Sequence, residues 1–253
     1  MRRFFIEQIE KNADDLCTIS GSEARHILKV LRMTEGDQFV LMDRTGCRYE
    51  TEIESVAGAT VNVRLIRPLA GSAYQEAEIT LCQALLKSGP MDYLIEKTSE
   101  LGVAAVRPFA CERTVVKING DGMTNKLRRW QEIAISAAKQ SGRVAPADIF
   151  KPVLLTEVMQ EMSNADCLKV MLWEREDSRD LKDVLSASAP ESRVIGMVGP
   201  EGGFSSKEVT SVVDAGFIPV SLGRRILRAE TAAITLTAII QYELGDLCIR
   251  GSR

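Results

Sequence analysis

The residues best suited to chemistry stand in two short segments near the end of the chain. One is Leu222-Gly-Arg-Arg-Ile-Leu-Arg-Ala-Glu-Thr-Ala-Ala233, and the other is Val194-Ile-Gly-Met-Val-Gly-Pro-Glu-Gly-Gly-Phe-Ser-Ser206. Each reads as a short apolar strand, a glycine-bearing loop and the start of a helix. Two such units in succession place a small-molecule site at the carboxyl ends of parallel strands. The backbone N–H groups of a glycine turn before a helix suit an anion. Glu201, however, puts a negative charge inside the first loop. The spacing matches neither G-x-G-x-x-G nor G-x-x-x-x-G-K-[ST], and the turn contains no lysine. A neutral or cationic ligand held by backbone groups fits better than a phosphate. The competing reading is a pair of ordinary tight turns with a helix cap.

S-adenosylmethionine is a ligand of the favoured kind, with a sulfonium cation, an adenine that needs backbone hydrogen bonds, and no phosphate. The rest of the composition narrows the chemistry. His26 is the only histidine, so a zinc site built on histidines is excluded and a Ser-His-Asp triad would have to recruit that one residue. Six cysteines, at positions 17, 47, 82, 111, 167 and 248, stand singly with no C-x-x-C. They read mainly as buried free thiols rather than metal ligands. No metal is expected. The formal net charge of −3 argues against nonspecific adhesion to nucleic acid but not against a local basic face. No apolar run is long enough to span a bilayer and none near the N-terminus has signal-peptide length, so a cytoplasmic protein is expected.

These loops need a scaffold, and two are legible. In the first seventy residues, short alternating segments at 37–43, 49–56 and 60–66 are separated by Gly36, Gly46 and Gly58. They predict a small antiparallel barrel or sandwich. One helix is expected inside it, from Ser22 to Leu31, capped by Ser20 or Ser22. A linker reading falls on 67–73. From Glu78 the rhythm changes to strand–helix alternation. Strands are predicted at 79–85, 103–109, 168–173, 194–198 and 217–222. Helices are predicted from about Met91 to Leu101, from Thr124 or Asn125 to Ser141, from Ser205 to Asp214 and from Ala229 to Leu244. Ser205 with Glu208 three residues on is a capping-box signature. Such alternation implies a mainly parallel sheet covered on both faces. The expected division is 1–70 and 74–253. The last helix carries Ala232, Ala233, Ile234, Leu236, Ala238, Ile239, Ile240 and Leu244 on nearly every side. It is therefore expected either to lie wholly inside a monomer or to be covered by the core and a second subunit.

Five separated segments resemble the signature set of the RsmE family, the uridine-N3 methyltransferases of small-subunit ribosomal RNA in the SPOUT superfamily. They are Leu86-Lys-Ser-Gly-Pro-Met-Asp92, Lys97-Thr-Ser-Glu-Leu-Gly-Val103, Arg129-Trp-Gln-Glu-Ile-Ala134 with Ala138-Lys-Gln-Ser-Gly-Arg143, Val198 to Phe204, and Leu222 to Thr231. His26-Ile-Leu-Lys-Val-Leu-Arg32 is similar to the family's N-terminal motif. The resemblance implies a PUA-like RNA-binding barrel over 1–70 and a SPOUT α/β domain with a C-terminal trefoil knot over 74–253. It also implies a homodimer, S-adenosylmethionine as cofactor, and a uridine of 16S rRNA in the small ribosomal subunit as substrate. The alternatives are another RNA such as tRNA, or a non-catalytic RNA-binding protein; the latter would leave both strand-end loops unexplained. The pair Arg224-Arg225 departs from the family pattern, in which a proline is common.

Methyl transfer to uracil N3 needs sulfur, methyl and nitrogen in line, loss of the N3 proton, and stabilisation of negative charge on the carbonyl oxygens. Within the resemblance, Arg228 is the candidate for that stabilisation, because its donor fork never has to titrate. A structural ion pair with Glu201 or Glu230 is its other reading. Glu201 and Glu230 are the candidate bases, or orient Arg228. Each also has a plainer role, as a loop organiser and as a helix N-terminal charge. Gly199, Pro200, Leu222, Gly223 and Leu227 are the candidate cofactor contacts, and Leu172 the apolar wall for adenine. For RNA the candidates are Arg2, Arg3, Arg25, Lys29 and Arg32. The last three, at i, i+4 and i+7, are expected to share one helix face.

Overall fold

The computed structural model describes residues 1–69, 77–117, 122–188 and 193–247. They form two compact units, Met1–Ala73 with Ala138–Pro146, and Tyr74–Ala137 with Ala147–Arg253. Residues 70–73 of the expected linker and Cys248 lie outside the described residues.

The first unit contains β1 (Arg3–Ile6), β2 (Leu16–Ile19), α1 (Gly21–Arg25), β3 (Gln38–Asp43), β4 (Arg48–Ala57) and β5 (Thr60–Pro68). The strands order as β1-β3-β4-β5-β2. All pairs are antiparallel except β1 with β3, which run parallel. The sheet is thus mixed, not purely antiparallel as its alternating segments predict. β1 and β2 precede the glycine-punctuated hairpins, and their positions depend on pairings that local pattern does not encode. Alternate strand residues, among them Phe4, Ile19, Phe39, Leu41, Ile53, Val61 and Val63, bury one face around Ala24 and Ile27.

The predicted helix over 22–31 is corrected. After α1 the chain continues as a π-helical turn, His26–Val30, with the Leu31 N–H donating to the His26 carbonyl at 3.0 Å. Ser20 occupies the N-cap position but makes no side-chain cap bond. Arg32 leaves the helix altogether, at φ 53°. The wider turn inserts a residue into the helical rhythm, so Arg25, Lys29 and Arg32 do not share the straight face that their spacing predicts. The end of α3 (Met123–Ser141) belongs to this unit by its contacts: Lys139 Nζ reaches Glu23 Oε1 at 2.5 Å, and Arg3 Nη1 donates to the Lys139 carbonyl at 3.2 Å.

The second unit runs β6 (Ile79–Ala84), α2 (Ser88–Glu100), β7 (Ala105–Ala110), α3, β8 (Asp148–Ile149), β9 (Val153–Leu154), α4 (Leu155–Ser163), β10 (Leu168–Leu172), α5 (Leu181–Ser186), β11 (Val194–Val198), α6 (Ser206–Asp214), β12 (Ile218–Val220) and α7 (Ala229–Leu244). Its sheet is parallel, ordered β12-β10-β11-β6-β7-β8, with β9 also on β7. Both faces are covered. Ile79, Leu81, Val170, Val194 and Val198 pack with α2, α3, α5 and α7. Cys82, Ala84, Met171, Ile195 and Met197 pack with α4 and α6. β11 is buried along its whole length, as a central parallel strand requires.

Local differences from expectation have local causes. α2 starts three residues before Met91, with Pro90 in its first turn, where the missing N–H leaves no helical bond unmade. β12 is shorter than 217–222 and is an edge strand, the place where Pro219 is tolerated. Ser205 caps α6 as predicted, its hydroxyl accepting from the Glu208 N–H and its own N–H donating to Glu208 Oε2. α7 occupies the predicted span but is buried on one face only. Ala229, Ala233, Leu236, Ile240 and Leu244 point into the core, while Ile234, Ala238 and Ile239 are half-buried and Tyr242 is 59% exposed. Among the described residues, no helix is long and apolar enough to cross a membrane.

Candidate active site

Three neighbouring strands, β12, β10 and β11, end on the same side of the sheet, and the loops that follow them enclose a cavity of about 1210 Å³. Its walls are 172–180 after β10, 198–204 after β11 and 220–230 after β12. A parallel sheet makes this geometry unavoidable, because every strand delivers its loop to the same edge.

The loop after β11 is the most tightly shaped. The Gly203 N–H donates to the Pro200 carbonyl at 2.9 Å, closing a turn. Gly203 has φ 65°, and a Cβ there would lie 2.6 Å from Glu174 Oε1. A Cβ on Gly199 would lie 3.0 Å from the Phe204 ring, which stacks on Phe109 with centroids 6.3 Å apart. Glycine is therefore needed at Gly203 for a left-handed turn, while a Cβ at Gly199 would require the Phe204 ring to give way. Arg113 spans the outside of this loop, its Nη1 donating to the Gly202 carbonyl at 2.8 Å. Underneath, the fully buried Gln83 donates from Nε2 to the carbonyls of Ala84, at 2.9 Å, and Gly199, at 3.4 Å.

The loop after β10 supplies an acidic wall: Glu174, Glu176, Asp177, Asp180 and Asp183 all line the cavity. It is held by its own carboxylates. Glu176 Oε1 accepts from the Ser178 hydroxyl at 2.5 Å and from the N–H groups of Ser178 and Arg179, at 3.0 and 3.1 Å. The Ser178 hydroxyl and these N–H groups hold the Glu176 carboxyl below its ordinary range. Asp180 caps α5 through the Asp183 N–H.

The loop after β12 has the opposite character. Ser221 ties its base, accepting from the Gly223 N–H at 3.1 Å, and Ser221 also bridges in backbone to Asp180. Beyond it Gly223, Arg224, Arg225 and Ile226 are exposed. Arg228 is the N-cap residue of α7; its carbonyl accepts from the Ala232 N–H at 2.8 Å while its side chain stays exposed. Among the described residues, no ion pair joins Arg228 to Glu201 or Glu230, so the ion-pair reading of Arg228 is not realised.

Comparison with known proteins assigns this arrangement. The RNA methyltransferase domain model matches residues 74–241, and the RNA methyltransferase PUA domain model matches 19–66. Ribosomal RNA small subunit methyltransferase E of Bacillus subtilis is 30% identical over 248 residues, which cover 96% of this chain and 97% of that one. The chain belongs to the RsmE family of RNA methyltransferases. Two solved structures agree in fold over nearly the whole length. Ribosomal RNA small subunit methyltransferase E from Neisseria gonorrhoeae, bound to S-adenosyl methionine, is 29% identical with a TM-score of 0.87, covering 98% of this chain and 100% of that one. A Legionella pneumophila protein in complex with the bound cofactor SAM is 33% identical with a TM-score of 0.85, covering 97% and 98%.

In this RsmE-family site the predicted residues converge unevenly. Leu172, Gly199, Pro200, Glu201, Leu222, Gly223, Leu227, Arg228 and Glu230 all line the one cavity. Gly199 and Pro200 are buried, Leu172, Leu222, Leu227 and Glu230 half-buried, and Glu201 and Gly223 exposed. In the first unit Arg2, Arg3, Arg25, Lys29 and Arg32 are exposed, and His26 packs its ring edge-on to Phe4 with centroids 5.9 Å apart. Sequence reasoning missed the acidic wall, Gln83 and Arg113. The acidic run from Glu174 to Asp183 was visible as composition, but nothing local aims it at a cavity. Other family segments turn out to be scaffold. Asp92 of α2 accepts from Arg129 Nε at 2.8 Å and Trp130 Nε1 at 3.0 Å, joining α2 to α3. The described cysteines are free: Cys17 and Cys82 are buried, Cys111 and Cys167 half-buried, and Cys47 exposed, so burial holds for fewer thiols than expected. Burial pushes the Cys82 thiol up to about 12, which makes it inert. No group of three His, Cys, Asp or Glu among the described residues could hold a metal ion.

Proposed function

We propose that this chain methylates N3 of a uridine in 16S rRNA, in the assembled small ribosomal subunit, with S-adenosylmethionine as methyl donor. The observation that carries this reading is the cavity at the ends of β10, β11 and β12, with an acidic wall, a glycine-shaped floor and an unpaired arginine at its margin. The residues fit the cofactor. Its volume exceeds what one such ligand needs, roughly 300–1000 Å³ for small-molecule sites. Gly199, Pro200, Leu222, Gly223 and Leu227 line the cavity, and in this reading their backbone groups hold a base and ribose while Leu172 offers an apolar wall. The carboxylates suit a cation and repel phosphate. When bound, the cofactor supplies an electrophilic methyl group on a positively charged sulfur.

The chain's own residues do the rest. Arg228, fixed in backbone and free in side chain, donates to a uracil carbonyl oxygen as N3 loses its proton. Glu201 and Glu230, which line the same cavity, are the proposed acceptors of that proton. Glu230 also lies in the first turn of α7, where it complements the helix dipole. Arg2, Arg3, Arg25, Lys29 and Arg32 would contact RNA phosphates; Arg3 does so with one donor already committed to the Lys139 carbonyl. No metal takes part, and the reading places the enzyme in the cytoplasm. The trefoil knot belongs to the same proposal. It is supported by the return of the chain from β12, beyond β10, to α7, which packs on α2, β6 and β11.

Mass mapping of 16S rRNA from a strain lacking this protein, repeated after adding the purified protein and S-adenosylmethionine, tests the reading. One uridine should gain a methyl group at N3 in isolated small subunits, and S-adenosylmethionine binding by the purified protein should be unaffected by a chelator. A methyl group found only on tRNA, or cofactor binding lost to a chelator and restored by zinc or magnesium, would overturn it.

We also propose a homodimer whose two-fold interface includes the half-exposed face of α7. Ile239 packs partly against the core, so Ile239→Glu would disturb the fold as well as the interface. Tyr242→Glu, at a 59% exposed position, is the cleaner variant. Light scattering should show a dimer for the native chain and a monomer, or a dimer weakened about tenfold or more, for Tyr242→Glu. A native monomer at micromolar concentration would refute the dimer.

A further inference from the structure

The loop between β12 and α7 presents an apolar tip flanked by cations. Ile226 is 88% exposed, more than any other large hydrophobic residue described. Arg224 and Arg225 directly precede it, both exposed and, among the described residues, without a hydrogen bond or ion pair. The base of the loop is pinned, since Ser221 Oγ bonds both the N–H and the carbonyl of Gly223, at 3.1 and 3.3 Å. The tip therefore projects from a fixed point at the margin of the cavity. Carboxylates line the same cavity, yet among the described residues neither arginine pairs with them.

We infer that Ile226 is a wedge for RNA. This rests on the reading of the chain as a uridine-N3 methyltransferase. N3 lies on the pairing edge of uracil, and a base inside a stack cannot bring that edge to the ends of β10 and β11. The target nucleotide must swing out of the stack into the cavity. The gap it leaves is apolar and flat, and an apolar side chain that enters it offsets the lost stacking. Arg224 and Arg225 hold the phosphates on either side and set the register of the strand. Ile226 is the residue free to enter the gap, because every other large apolar group lining the cavity is at least half-buried. Charge favours RNA over a second copy of the chain as the occupant. Two copies meeting tip to tip across a two-fold axis would bring their own arginines together.

The test compares Ile226→Ser, Ile226→Met and the double variant Arg224→Gln/Arg225→Gln with the native chain. Calorimetry with S-adenosylmethionine is run first, then binding and single-turnover methylation of small ribosomal subunits from a strain lacking the protein. All variants should retain S-adenosylmethionine binding, because the proposed cofactor contacts in this loop are backbone groups of Leu222, Gly223 and Leu227. Ile226→Ser should lower the single-turnover rate at saturating subunits about tenfold or more, with subunit affinity little changed. Ile226→Met should restore most of the rate. The arginine variant should instead weaken subunit binding and reduce the slope of its salt dependence by about two. An unchanged rate for Ile226→Ser overturns the wedge, as does its conversion to a monomer in light scattering, which would assign the tip to a second copy. Failure of the native chain to bind S-adenosylmethionine or to methylate subunits removes the underlying reading, and is distinguished by appearing before any variant is made.

Discussion

The loops after β10 and β12 face the same cavity and are built on opposite principles. The first is acidic and internally bonded: Glu176 gathers Ser178 and Arg179, and Asp180 caps α5. The second is basic and, among the described residues, bonded only at its two ends, at Ser221 and at the N-cap of α7. A wall that holds a small ligand gains from pre-organisation, because its ordering cost is met by folding rather than by binding. A wall that meets a large polyanion needs its charges unpaired, because an arginine already satisfied by a carboxylate has little left for a phosphate or a developing oxyanion. Among the described residues Arg224, Arg225 and Arg228 make no ion pair although carboxylates line the same cavity, which leaves their side chains for the substrate while, in the proposed reading, backbone groups of the same loop serve the cofactor.

The comparison breaks most decisively at Arg228. Arg228→Ala should lower single-turnover methyl transfer by roughly two or more orders of magnitude, the usual scale for a lost charge-stabilising donor. Affinity for S-adenosylmethionine should change little, since the proposed cofactor contacts are largely backbone. Arg228→Lys should recover only part of the rate, because a point charge does not replace a planar fork. A near-normal rate in the alanine variant would place the chemistry elsewhere.

A smaller effect is expected where the glycine floor meets the acidic wall. Gly203→Ala forces a Cβ into a left-handed position and against Glu174 Oε1, 2.6 Å away. It should destabilise the fold by about 1–3 kcal/mol in urea titration and weaken cofactor binding. Adding Glu174→Ala removes the clash but not the backbone strain, so the double variant should recover only part of the loss. Full recovery would mean that the contact, not φ, dictates glycine here.

The smallest effect sharpens the role of the acidic loop. Glu176 is held below its ordinary value of 4.5 by Ser178 and by backbone donors. A depressed carboxylate contributes stability that is complete above the unfolded value and is lost as pH falls through the folded one. Folding stability of the native chain in urea titration should therefore decline as pH drops below about 4.5, and Glu176→Gln should be less stable above that value but flatter below it. Parallel pH profiles for the two proteins would show that Glu176 does not organise this wall.

What the sequence determined by itself was local. Apolar runs at 79–84 and 194–198, the glycine turn at 199–203, the Ser205–Glu208 cap and the span of α7 all follow from residues within a few positions of one another. That the loops after parallel strands share one edge was also legible, but the meeting of nine candidate residues in one cavity depends on β12, β10 and β11 being neighbours. Other features needed the folded chain. The parallel pairing of β1 with β3 joins residues nearly forty positions apart in sequence. The π-helical turn that carries Arg32 away from Arg25 leaves no mark in an apolar rhythm. Gln83 reaches Gly199 only because β6 and β11 are neighbours in the sheet. The acidic run after β10 becomes a wall only when β12 pairs beyond β10 and brings the loop of Arg224 to Arg228 to the same cavity. Periodicity and capping report how each segment satisfies its own backbone, whereas a site is made by which segments become neighbours, and that is decided by packing across the whole sheet.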